Sequence, residues 1–114
     1  MAEESFKDGR LSGTGDYLDG ERHGHWTFYF RNGQVKSEAG YMNGQLDGLC
    51  IWYREGGGLL QKGAFRDGQQ HGIWQRWHST GELMDEGTYD AGRKLGEWVT
   101  YAPDGSESKR KTFK

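Results

Sequence analysis

Glycine returns to the same place in every 24 residues of this chain. Gly20, Gly44, Gly68 and Gly92 form one series, Gly24, Gly48, Gly72 and Gly96 a second, and Gly33, Gly57, Gly81 and Gly105 a third. Aromatic residues keep the same register, with Tyr17, Tyr41, Phe65 and Tyr89 in one column and Tyr29, Tyr53, Trp77 and Tyr101 in another. A unit this short cannot bury its apolar face alone, so neighbouring units must stack, and any function belongs to the stacked surface. The phase persists to both ends, because Asp8-Gly9 aligns with Asn32-Gly33 and Phe113 with Tyr89. Residues 1–114 therefore read as one repeat domain of units 15–38, 39–62, 63–86 and 87–110, with partial units at both ends.

Within each unit the apolar positions alternate with period two rather than 3.6, which predicts antiparallel hairpins and an all-β fold of about nine strands, roughly 40 Å long across them. In the third unit Leu83, Asp85, Gly87 and Tyr89 should point one way, and Met84, Glu86 and Thr88 the other. Asn32-Gly33 and Asp104-Gly105 carry the residue pairs that best tolerate positive φ, so these are expected to be tight two-residue type I′ reversals. The stretch from Asp19 to Gly24 and its copies is longer and glycine-flanked, as suits a four-residue loop or a bulged hairpin. Gly15, Ala39, Gly63 and Gly87 stand two residues before an aromatic, where a small residue leaves room for a ring from the neighbouring strand.

Leu, Ile, Val and Phe supply only 17 residues, but the net charge of −2 argues against disorder, and sixteen aromatics carry the burial instead. The near-neutral charge offers no broad attraction for nucleic acid or anionic lipid. Lys109, Arg110, Lys111 and Lys114 form the one local basic cluster, which a solvated edge strand explains. No apolar run approaches the ~20 residues of a membrane helix, and the start shows no basic and apolar leader, so a cytoplasmic setting is the default expectation. Cys50 stands in the column of Trp26, Trp74 and Trp98, where packing explains it better than reactivity.

The run Gly87-Thr88-Tyr89-Asp90-Ala91-Gly92-Arg93-Lys94-Leu95-Gly96-Glu97-Trp98 and its copies resemble the MORN repeat (membrane occupation and recognition nexus). They are most similar to the bacterial variant with Gly-x-Trp in place of Gly-x-Gly, as in Gly24-His25-Trp26, Gly72-Ile73-Trp74 and Gly96-Glu97-Trp98, whereas Gly48-Leu49-Cys50 departs from it. The resemblance implies an elongated, single-layer antiparallel meander of consecutive hairpins. It also implies a small bacterial protein of a kind often labelled an antitoxin of a toxin–antitoxin pair.

Chemistry has little to stand on here. His23, Asp47 and His71 share a column, but successive hairpins place equivalent residues about 10 Å apart, too far for one metal ion. No nucleophile–base pair or paired carboxylates converge, and the glycine runs at Gly13 and Gly56-Gly57-Gly58 lack the helix a phosphate loop needs. The expectation is a non-enzymatic module with no cofactor and no metal. A one-layer sheet leaves aromatic surface exposed, and positions that vary between repeats are the better candidates for a protein partner such as a toxin or effector. Those candidates are Phe28, Trp52 and Arg76 in one column, Phe30, Arg54 and His78 in another, and Trp77. The alternatives are a scaffold that self-associates through its open edge strands, and a membrane-associated or small-ligand module.

Overall fold

In the computed structural model, which describes residues 1–114, two kinds of turn alternate along the chain, and each follows from where positive φ falls. The first kind is a two-residue reversal with both centres left-handed: Asp19-Gly20, Asn43-Gly44, Asp67-Gly68 and Ala91-Gly92, with φ of 49° to 53° at the first residue. That is the type I′ signature. The second kind has a left-handed glycine at its end, joined by a second one, Gly56, only in the turn from Arg54 to Gly58. At Gly33 the glycine N–H donates to the Phe30 carbonyl (2.9 Å), while the Phe30 N–H donates to the Gln34 carbonyl (2.8 Å). This is a three-residue loop, a type I turn closed by a glycine bulge. The expectation of type I′ turns at Asn32-Gly33 and Asp104-Gly105 is thus corrected. Asn32 and Asp104 keep negative φ, and the tight reversals lie instead in the stretch expected to be the longer break.

These turns connect β1 (Ala2–Ser5), β2 (Leu11–Leu18), β3 (Glu21–Tyr29), β4 (Val35–Met42), β5 (Gln45–Leu46), β6 (Gly48–Tyr53), β7 (Leu59–Arg66), β8 (Gln69–Trp77), β9 (Leu83–Asp90), β10 (Arg93–Tyr101) and β11 (Glu107–Phe113). All lie in one open antiparallel sheet whose spatial order follows the chain, with β5 a short spur on β4. The fold is the all-β meander anticipated from the periodicity. Eleven strands replace the expected nine because Ala2–Ser5 pairs with β2 and because the second unit's strand is interrupted at Asp47. The molecule measures 44 × 31 × 17 Å, one sheet thick. It contains no helix long and apolar enough to cross a membrane.

The second glycine series explains how so thin a sheet acquires a core. Thr14 pairs with Thr27 and Asp16 with His23, so that Gly15 alone faces Gly24, His25 and Trp26. Gly24 (φ 75°) accommodates the bulge, and Gly48, Gly72 and Gly96 repeat it. The slack lets each tryptophan fold back over the preceding strand, where its indole N–H donates to a backbone carbonyl: Trp26 to Asp16 (2.9 Å), Trp74 to Ala64 (3.1 Å) and Trp98 to Thr88 (3.1 Å). Trp26, Cys50 and Trp74 are 0%, 0% and 4% exposed, and all eleven buried residues lie on this one face. Burial pushes the Cys50 thiol up, as befits a packing residue.

A second bulge recurs at the other strand ends. Trp77 pairs with Leu83 and Arg76 with Asp85, leaving Met84 extra. Leu83 therefore shares the face of Trp77 rather than that of Asp85, correcting the uninterrupted alternation expected across Leu83 to Tyr89.

Candidate interaction face

The aromatic face carries two runs of ring contacts. Tyr17, Trp26, Phe28 and Tyr41 form the first, with centroids 5.2 to 6.3 Å apart. Trp52, Phe65, Trp74, Tyr89, Trp98 and Phe113 form the second, at 5.0 to 6.5 Å. Most contacts are edge-to-face, each adding about 0.5–1.5 kcal/mol beyond area burial. The runs part where Cys50 replaces tryptophan.

The seven partner-binding candidates fall into separate places. Phe28 and Trp52 are half-buried on the aromatic face and line one cavity with Glu4, Arg22 and Ser37. Arg76 stands on the same face further along, its guanidinium paired with Asp85 at 2.5 Å. That pairing, mainly its hydrogen bonds, raises the guanidinium above its ordinary pKa. Trp77 lies on the opposite face, by alternation from Arg76. With Arg54 and His78 it lines a cavity of about 160 Å³ at the turn edge. Arg54 donates to the Trp77 carbonyl (2.9 Å) and His78 Nε2 lies 2.8 Å from the Tyr101 carbonyl, so both side chains staple one hairpin to the next. Phe30 is half-buried at the start of its turn and lines none of these cavities.

Ion pairs distinguish the two ends of the aromatic face. Near the N-terminus Arg22 lies over the rings of Trp26, Phe28 and Tyr41 at 4.8 to 5.4 Å and binds the Glu4 carboxylate at 2.5 Å; the Tyr17 hydroxyl donates to the same carboxylate. Near the C-terminus the Lys94 ammonium lies 4.6 Å from the Trp98 ring centre, and Lys111 4.9 Å from that of Phe113, with no carboxylate partner for either. Strand alternation splits the terminal basic run: Lys109 and Lys111 share the aromatic face, while Arg110 turns away to Glu97 and Glu107. On the opposite face Leu49 and Ile73 are the most exposed apolar strand residues, at 53% and 63%.

Between Trp74 and Trp98 a cavity of about 220 Å³ is lined by Gln61, Gln70, Arg76, Asp85, Tyr89 and Lys94 together with the two indoles. Of these residues only Arg76 is among the partner-binding candidates that the sequence suggests. The available signal was variation within columns: Arg22, Leu46, Gln70 and Lys94 are equivalent, as are Gly13, Ser37, Gln61 and Asp85. No group of three or more His, Cys, Asp or Glu side chains is placed to hold a metal ion.

A one-layer sheet of repeated hairpins with an aromatic row on one face defines a repeat protein of the open-meander class. Two segments, residues 22–43 and 70–91, match the family model described as the MORN repeat variant, and they lie two repeat lengths apart. No curated protein matches the chain.

Proposed function

We propose that the chain is a non-enzymatic protein-binding repeat module that grips its partner with the aromatic face. The observation carrying this reading is the half-exposed column of Phe28 and Trp52, continued by exposed Arg76, beside the sealed row of Trp26, Cys50, Trp74 and Trp98, on a face that nothing covers. Sealed rings hold the array, and exposed ones are free to make contact. The finer reading is an antitoxin or immunity protein that neutralises a bacterial toxin by occlusion. A cytoplasmic setting suits its single free cysteine. The test is to identify a co-purifying protein by cross-linking and to measure its binding to Trp52→Ala. Loss of binding with the melting temperature retained supports the reading; unchanged binding overturns the assigned face.

One observation favours a second reading, head-to-tail self-assembly. If the repeat phase ran on from β11 into β1 of a second copy, the pairing of Gly13 with Phe28 and Thr14 with Thr27 would be reproduced as Lys109 with Glu4 and Arg110 with Glu3. Opposite charges would then face each other across two open edges, a heterologous contact that extends rather than closes. Sedimentation that shifts to larger species at low salt supports this; a monomer at every salt concentration removes it.

A further inference from the structure

The repeat contains its own account of what the cavity between Trp74 and Trp98 is shaped to hold. Three repeat lengths separate Tyr17, Arg22 and Trp26 from Tyr89, Lys94 and Trp98, so the two trios are structural equivalents. In both, the tyrosine pairs with the cation across the strands, Tyr17 with Arg22 and Tyr89 with Lys94. In both, a cation lies over the indole, at 5.2 Å for Arg22 and 4.6 Å for Lys94. In the first trio a carboxylate completes the arrangement: Glu4 accepts from the Tyr17 hydroxyl and from Arg22 Nη2 and Nε.

The residue equivalent to Glu4 at the second site is Arg76. Its guanidinium is turned onto Asp85, which stands where the first site has Gly13, so Arg76 brings no carboxylate to the place of Glu4 and the Asp85 carboxylate is paired with Arg76 rather than with Lys94. Lys94 and the Tyr89 hydroxyl are left without an acceptor, and the side-chain amides of Gln61 and Gln70 on the same walls make no hydrogen bond. Arg76 and Asp85 cancel, which leaves Lys94 as the net charge of the cavity, and Lys109 and Lys111 on the same face add to the positive field.

We propose that this cavity is a carboxylate-binding niche and that it receives an aspartate or glutamate side chain of a polypeptide partner, with Lys94 and the Tyr89 hydroxyl reproducing the grip of Arg22 and Tyr17 on Glu4. The ammonium supplies the charge, and Trp74 and Trp98 flank the stem of the acidic side chain. The niche rests on the protein-binding reading and narrows it to an acidic segment. Trp52 is not among the lining residues, although its ring packs 5.7 Å from that of Trp74, so Lys94 tests the niche and Trp52 the wider face.

The experiment is a tryptophan-fluorescence titration at low salt with a capped heptapeptide alternating glycine and glutamate, its glutamine twin, and free sodium glutamate. The glutamate peptide should saturate, the glutamine twin should not, and Lys94→Gln should weaken binding about tenfold or more, the loss expected for one charge-assisted hydrogen bond. Lys94→Arg should retain binding, which separates loss of charge from loss of fold. The double variant Arg76→Glu with Asp85→Ser supplies an internal carboxylate where the first site has Glu4. It should abolish peptide binding while keeping or raising the melting temperature. No saturable binding of the glutamate peptide, equal binding of the glutamine twin, or undiminished binding by Lys94→Gln overturns the niche. Saturation by free glutamate at the same concentration as the peptide overturns the polypeptide as its occupant. Any of these results leaves the Trp52→Ala test standing on its own.

Discussion

The indole of Trp74 lies so close upon Gly63 that a Cβ built on that glycine would stand 2.1 Å from the ring. Gly15 under Trp26 and Gly87 under Trp98 show the same approach, at 2.3 and 2.0 Å. The ring cannot retreat, because its N–H is held by the Ala64 carbonyl and Phe65 and Tyr89 pack against it. Gly63→Ala should therefore destabilise the fold by about 1–3 kcal/mol through overpacking, although alanine is the better strand former. Urea unfolding followed by fluorescence measures it, and a variant as stable as the parent would refute the ring-on-glycine packing.

The second repeat shows the complementary exchange. Cys50 replaces tryptophan, and Ala39 stands where the other three full units have Gly15, Gly63 and Gly87. The pair should behave as a coupled unit. Cys50→Trp alone meets the Ala39 methyl and should lose about 1–3 kcal/mol. Adding Ala39→Gly should recover part of that loss, a coupling of about 0.5–3 kcal/mol in a double-mutant cycle. Additive single effects would show that the two positions are independent.

The repeat made the hairpins legible because glycine and aromatic columns are direct consequences of turn geometry and ring packing. It did not reveal which turn was tight. Asn32-Gly33 and Asp19-Gly20 are equally capable of positive φ at both centres, and the choice is made by the bulges, which depend on pairing across strands. The bulge at Gly24 was foreseeable only as one of two options, since its cause is the indole of Trp26 settling over Gly15. On the aromatic face, period and variation single out Phe28, Trp52 and Arg76 as candidates. They do not single out Lys94, because its significance lies in lacking the carboxylate that Arg22 finds in Glu4, a relation between units rather than within one.

Ala91 holds φ at 49°, in the left-handed region where its equivalents are Asp19, Asn43 and Asp67. A methyl-bearing residue is strained there, whereas asparagine relieves part of the cost by local hydrogen bonding. Ala91→Asn should stabilise the protein by about 0.5–1 kcal/mol and Ala91→Gly by a similar amount, read as an increase in the denaturation midpoint with unchanged slope. Loss of stability in both would contradict the type I′ turn at Ala91-Gly92.

The filled niche at the N-terminus should announce itself in the acid limb of stability. Arg22 hydrogen-bonds Glu4 and holds its carboxyl below the usual carboxylate value, with burial opposing and Tyr17 assisting. A lowered folded value means that the Glu4 carboxyl group binds fewer protons in the native than in the unfolded chain at a pH between the two values. Its stabilisation is thus complete above the unfolded value and disappears as pH falls through the folded one. Glu4 and Arg22 keep 26% and 35% of their side-chain surface in solvent, so screening limits the effect to on the order of 0.5–1 kcal/mol. Glu4→Gln should be less stable than the parent near neutral pH, and the gap should close below about pH 4. A gap that stays constant down to pH 2 would assign the effect of Glu4 to packing rather than to its charge.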